Sequence, residues 1–135
     1  MLRISPVPMV SEHFSAAEFA CRCCGQIVLN ERNWLLFQSL ETIRSQVGGR
    51  PVVMDSGCRC KAHNAAVGGA PSSKHLEGIA ADVHVAGMTP AQLAQIVRAH
   101  CPDVMGIGVG ASQFHIDVRP GPRTEWTYPL RRPGG

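Results

Sequence analysis

Long hydrophobic runs are missing from this 135-residue sequence. No stretch approaches the roughly 20 apolar residues of a membrane-crossing helix, so no membrane partner is read from it. The opening residues do not read as a secretory leader either. In residues 1–14, MLRISPVPMVSEHF, the apolar run is broken by Ser5, Pro6 and Pro8, and no small-residue cleavage site follows. The chain therefore reads as cytoplasmic until released, and a target outside the membrane would need another protein to open the way. Charge of one sign is scarce. A formal net charge of +3, scattered along the chain, gives no basic patch for nucleic acid. Mildly basic chains can associate with anionic polymers, but this charge alone does not show it. Internal repeats and linkers are also lacking, and we read one domain over residues 1–135 and a monomer.

What is present is an ordinary globular composition, 44% apolar and 17% charged, which excludes a disordered chain. The length suits one hydrophobic core. Six cysteines stand at 21, 23, 24, 58, 60 and 101. Without a leader, close cysteine pairs point to metal or free thiols more than to disulfides.

The element pattern alternates helices and short strands. Ser15 with Glu18 has the capping-box form and predicts a short helix at about 16–20, ending at CRCCG. Asn30 predicts the N-cap of a longer helix, with Glu31 near its positive end. Leu36, Leu40, Ile43 and Val47 share its buried face, Phe37 widens it, and Gly48-Gly49 ends it. Residues 51–55, PVVMD, read as a buried strand, and 61–67 as a short helix stopped by Gly68-Gly69. A second strand covers 80–85, with Asp82 and His84 on one side and Ala81, Val83 and Val85 on the other. Thr89-Pro90-Ala91-Gln92 opens a helix running to about His100 and burying Leu93, Ile96 and Val97. Residues 105–109 and 113–118 read as a hairpin in which Gln113, His115 and Asp117 share a face. The opening residues 1–14 read as extended, and the tail 120–135, rich in proline and arginine, as irregular. The result is an α+β domain, an antiparallel sheet flanked by helices.

Two imidazoles and a carboxylate form a usual catalytic zinc set, three protein ligands with a fourth position open to water. His75, Asp82 and His115 offer that set. Each also has a plainer reading: a strand histidine is commonly a hydrogen-bonded structural residue. Asp82 lies in the apolar run GIAADVHV, where a carboxylate needs a counter-charge, a donor or a metal. The residues alone leave both readings open. His84 shares a face with Asp82 and reads as a non-ligand.

The run 56–85, SGCRCKAHNAAVGGAPSSKHLEGIAADVHV, resembles the zinc D-Ala-D-Ala carboxypeptidases and related peptidoglycan peptidases of the hedgehog/D-Ala-D-Ala peptidase superfamily. Matching features are Ser56-Gly57-x-Arg59, His63-Asn64, Val67-Gly68-Gly69, Ser73-x-His75, Gly78 and Ala81-Asp82, then Phe114-His115-x-Asp117-x-Arg119. The resemblance covers about residues 14–126. It implies zinc on His75, Asp82 and His115. It also implies that Arg59 helps hold the substrate through its carboxylate or scissile carbonyl, which a guanidinium fork suits. Ser73 matches a serine near the substrate, or else caps a turn. The implied activity is hydrolysis of peptidoglycan stem peptides or cross-links, as in a phage or prophage endolysin or a wall-remodelling hydrolase. The alternative is a weak or inactive zinc-containing wall-binding module or phage structural component, since the related hedgehog signalling domain keeps such a site without established peptidase work.

One departure stands out. Several relatives place a Glu or Asp three residues before the last zinc histidine, where this chain has Ser112. Asp117 is the nearest carboxylate in sequence. It reads either as the catalytic base or as a partner that orients a ligand histidine.

Cys21-x2-Cys24 and Cys60-x2-His63 have zinc-knuckle spacing and could form a closed Cys3His site, with Cys23 able to replace one of the first pair. A disulfide from this cluster to Cys58 or Cys60, and free thiols, remain alternatives. Cys101 reads as an isolated thiol.

Overall fold

Three capping boxes set where the main helices begin. In the computed structural model, which describes residues 8–128, the Ser15 hydroxyl accepts from the Glu18 amide while the Glu18 carboxylate accepts from the Ser15 amide, opening α1 (Ala16–Phe19). Thr89 and Gln92 do the same for α4 (Pro90–His100). The box at α2 (Glu31–Gln46) uses Asn30 and Asn33, a pairing that the usual Ser/Thr…Glu/Gln pattern does not flag. Gly48 and Gly49, both at positive φ, take the chain away from the end of α2. A fourth helix, α3 (Lys61–Ala66), is capped by Cys60.

Five short strands form one sheet: β1 (Val53–Ser56), β2 (Ala80–His84), β3 (Gly106–Val109), β4 (Phe114–Asp117) and β5 (Thr124–Thr127). Their order is β1-β2-β4-β3-β5. All pairs are antiparallel except β3 with β5, which are parallel. The expected α+β sheet flanked by helices is therefore present, with one parallel pair at its edge.

Two readings need correction. The stretch 51–55 is not a fully buried strand: β1 is an edge strand, and Val53 is 43% exposed. Its run of apolar residues concealed the alternation that an edge position imposes. The tail is not wholly irregular either, because 124–127 pair with β3. Thr-Glu-Trp-Thr carries β-branched and aromatic residues suited to a strand, and the flanking prolines and arginines masked it. Residues 129–135, and 1–7 of the segment read as extended, lie outside the described residues.

The sheet separates two environments. On one side Met54, Ala81, Val83, Ile107 and Ile116 meet Leu36, Leu40 and Ile43 of α2 and Leu93 and Val97 of α4, all buried. Each of the Val, Leu, Ile and Met side chains among them contributes about 1.5–3 kcal/mol on burial. On the other side, Asp82, His115 and Asp117 are carried by neighbouring strands, with Asp82 opposite His115. No described helix is long and apolar enough to cross a membrane.

The segment before α1 is fastened to α2 through one carboxylate. Glu41 accepts from the Ser11 hydroxyl, the His13 amide and the His13 ring, each at 2.6 Å. Burial would raise its pKa, but these donors outweigh burial and lower it from the usual 4.5. A depressed folded value means that the unfolded chain binds the proton more readily, so the contribution is present above pH 4.5 and fades as pH falls through the folded value. Glu41→Gln is expected to cost about 1–2 kcal/mol near pH 7. Urea melts of both proteins should show midpoints that converge as the pH is taken below 4.5; a gap independent of pH would contradict this role.

Candidate metal centre and cleft

The position of His75 follows from a turn, and that of Asp82 and His115 from strand pairing. His75 lies in the turns between α3 and β2, and its amide donates to the Ser73 hydroxyl at 3.2 Å. Ser73 thus caps this turn and also lines the cleft. Asp82 and His115 are register partners on β2 and β4. All three side chains are buried, and their candidate ligand atoms lie within 4.8 Å of one another.

The hydrogen bonds around the two rings settle which nitrogens face inward. His75 Nδ1 lies 2.6 Å from the Gly57 carbonyl oxygen. A carbonyl only accepts, so Nδ1 carries the proton and Nε2 is turned toward Asp82 Oδ1, 3.2 Å away. His115 donates through Nε2 to Asp117 Oδ2 at 2.8 Å, leaving Nδ1 at 2.9 Å from the same Asp82 oxygen. Two imidazole nitrogens and one carboxylate oxygen converge on one point, each ring anchored from behind. Neutral rings would direct lone pairs at an anion there. The arrangement needs a positive charge, supplied either by protonating a ring or by a metal cation, and the donor set fits zinc.

The charges agree. Burial would raise the Asp82 carboxyl, but the His115 and His75 rings outweigh it and hold it well below the usual carboxylate range. Burial would lower His115, but Asp117 and Asp82 outweigh it and raise it.

Arg59 fixes the other half of Asp82. Its Nη2 donates to Asp82 Oδ2 at 3.1 Å, its Nη1 to Asn64 Oδ1 at 3.2 Å and its Nε to the Ser56 hydroxyl at 3.1 Å. One carboxylate oxygen is thereby assigned to the guanidinium and the other to the histidines.

Asp117 has no exposed surface. Arg119 grips it with a fork, Nε to Oδ1 and Nη2 to Oδ2, both at 2.8 Å. Burial would raise this carboxyl, but Arg119 and His115 hold it far below its usual value. Of the two roles open to Asp117 in sequence, a base would need an oxygen facing the cleft, and the packing gives it none. Gly106 makes the placement possible: a Cβ there would lie on the Asp117 carboxylate.

The cleft above the centre has a volume of about 490 Å³. Arg59, Lys74 and Arg119 give it positive walls, and Trp126 and Tyr128 an aromatic one. Among the described residues lining it, Asp82 is the only carboxylate. Ser112 is exposed in the β3–β4 turn and is not part of the lining. His84 is turned away, paired with Asp55 at 2.8 Å. Trp126 and Tyr128 were missed in sequence along with β5. Trp126 lies opposite Gly108, whose missing side chain leaves room for both aromatics. Its ring stands 5.3 Å from that of His115, and the Arg119 guanidinium lies over it at 5.0 Å. The signal for it was the short alternation of Thr and aromatic residues.

A second group forms behind Arg59. The sulfurs of Cys21, Cys24 and Cys60 lie within 4.8 Å of one another. His63 is not in this group: its backbone amide, rather than its ring, is directed at Cys60 Sγ, 3.4 Å away.

The family model described as peptidase M15 matches residues 12–117. The zinc D-Ala-D-Ala carboxypeptidase of Streptomyces albus G is 32% identical over 91 residues, 67% of this chain. The match spans 36% of that protein's length.

If Asp117 orients His115, Asp117→Asn should weaken zinc binding about 10- to 100-fold without abolishing it. Competition with a zinc-binding dye on the folded protein would measure this. Unchanged affinity would remove Asp117 from the centre.

Proposed function

Because the chain belongs to the peptidase M15 family, we propose that it is a zinc metallopeptidase that hydrolyses peptide bonds in the stem or cross-link of peptidoglycan, in wall lysis or remodelling. The observation that carries this reading is the convergence of His75 Nε2, His115 Nδ1 and Asp82 Oδ1 at a positively walled cleft. A zinc ion held by these residues would supply Lewis acidity and a water of near-neutral pKa.

The remaining residues bind and orient. Gly57 and Asp117 accept from the outer N–H of each ring, which leaves the other nitrogen directed inward, in the way that outer partners of ligand histidines act. Arg59 holds Asp82 in place and, from the cleft wall, offers its remaining N–H groups to a substrate carboxylate or carbonyl. Lys74 and Arg119 add positive potential for the acidic stem peptide. Trp126 and Tyr128 offer an apolar wall for alanine methyl groups. Asp117 is a positioning residue, and Ser73 holds the His75 turn at the cleft edge.

A second reading rests on the cleft having no carboxylate besides Asp82 among its described lining residues. A base is then absent from the usual place, and the domain would bind wall peptides with little or no turnover.

Zinc-loaded protein incubated with purified peptidoglycan should release muropeptide fragments identifiable by mass spectrometry, and His75→Ala should release none. Arg59→Ala should lower kcat/KM about 10- to 100-fold, the loss expected for a hydrogen bond to a charged group. Equal products from wild type and His75→Ala would refute the peptidase reading. Retention on peptidoglycan with zinc bound and no product would establish the binding module instead.

A further inference from the structure

Three cysteine sulfurs meet where the loop after α1 passes the start of α3: those of Cys21, Cys24 and Cys60 lie within 4.8 Å of one another. Cys21 is buried, Cys60 half-buried and Cys24 exposed, and Cys23, also exposed, precedes Cys24 in the chain.

The backbone around these sulfurs is arranged for thiolates. The Cys60 amide donates to Cys21 Sγ at 3.3 Å, and the His63 amide to Cys60 Sγ at 3.4 Å. The Gln26 amide lies against Cys24. Three sulfurs thus converge on one point, with backbone amides directed at two of them. A divalent cation suits such a set, because a coordinated thiol is deprotonated outright. A disulfide would use two sulfurs and leave the third facing it.

We propose that Cys21, Cys24 and Cys60 bind a second zinc ion in a closed, structural site. Cys23, one residue before Cys24, and His63, in the first turn after Cys60, flank the three sulfurs and are the candidates for the fourth position. A thiolate-rich set closed by a fourth protein ligand suits a structural site.

The site has a place in the architecture. Cys60 follows Arg59 directly, and the two loops already touch through the Cys58 amide and the Phe19 carbonyl at 2.7 Å. Arg59 lines both the cleft and the small cavity beside the cysteines. The second metal therefore clamps the segment that aims Arg59 at Asp82. Its existence does not depend on the peptidase reading.

Cobalt substitution separates the two sites. Thiolate-bound cobalt gives intense near-ultraviolet charge-transfer absorption, which His75, Asp82 and His115 cannot produce. The whole chain, kept reduced and loaded with cobalt, should hold two metals and show this absorption. His75→Ala should hold one metal and keep the absorption in full. Cys21→Ser should lose most of it, and a loss of one thiolate's share in Cys23→Ser, with none in His63→Ala, would mark Cys23 as the fourth ligand. The wild type and His75→Ala decide the matter even if a cysteine variant fails to fold. A single metal per chain with no charge-transfer absorption in the wild type would overturn the site. So would a non-reduced mass two hydrogens lighter, with these cysteines linked and no second metal. Full absorption in a folded, cobalt-loaded Cys21→Ser would overturn the assignment of the sulfurs.

Discussion

A carboxylate buried between two strands is the constraint on which the rest of the structure depends. Asp82 sits on β2, next to the strand that carries His115, and such a charge out of water is expensive unless it is paired and hydrogen-bonded. Three side chains meet the requirement, His75, His115 and Arg59, and each is itself held by another group: His75 by Gly57, His115 by Asp117, and Arg59 by Ser56 and Asn64. Asp117 repeats the problem one layer out and is answered by Arg119. Removing any one partner would leave a buried charge exposed to that cost, so the polar layer holds together as a unit.

Glycine makes room for that layer. Ordinary strand residues at 106 and 108 would strengthen β3 but would occupy the space now taken by the Asp117 carboxylate and by Trp126 and Tyr128. The sheet thus gives up packing on its outer face to hold a charged centre there. The opposite face bears the stability, with Val83, Ile107 and Ile116 packed against the two long helices. Hydrophobic core and candidate metal centre share the same strands and alternate residue by residue, which is why a one-residue slip of β4 would destroy both.

Legibility in the sequence follows the range of each interaction. The helices of 31–46 and 90–100 were readable because capping and periodicity are local, and the His75, Asp82 and His115 set was readable because its residue types and the motif around them are distinctive. The edge position of β1 was not, since an apolar run looks the same in a central strand. The strand 124–127 was hidden among prolines and arginines because its parallel pairing with β3 is a tertiary fact. Asp117 shows the same limit: sequence placed it on the His115 face, but only its burial under the Arg119 fork separates a positioning role from a base. The cysteine spacing suggested a histidine at 63, and the structure directs that residue's amide, not its ring, toward the sulfur.

As proposed, the two clusters would differ in the way that catalytic and structural metal sites differ. The His75, Asp82 and His115 group uses nitrogen and oxygen, offers three ligands and opens onto a cleft, which leaves room for a water and a substrate. The cysteine group is all sulfur, which favours zinc held tightly and closed to exchange chemistry. Arg59 stands between them, one residue before Cys60 and in contact with Asp82. A loop that short, with no long element to brace it, would let the guanidinium wander, and a displacement of about 1 Å in a positioning group can cost two orders of magnitude in rate. Holding the loop from behind with the proposed second metal would therefore make the front of the site rigid without filling the cleft.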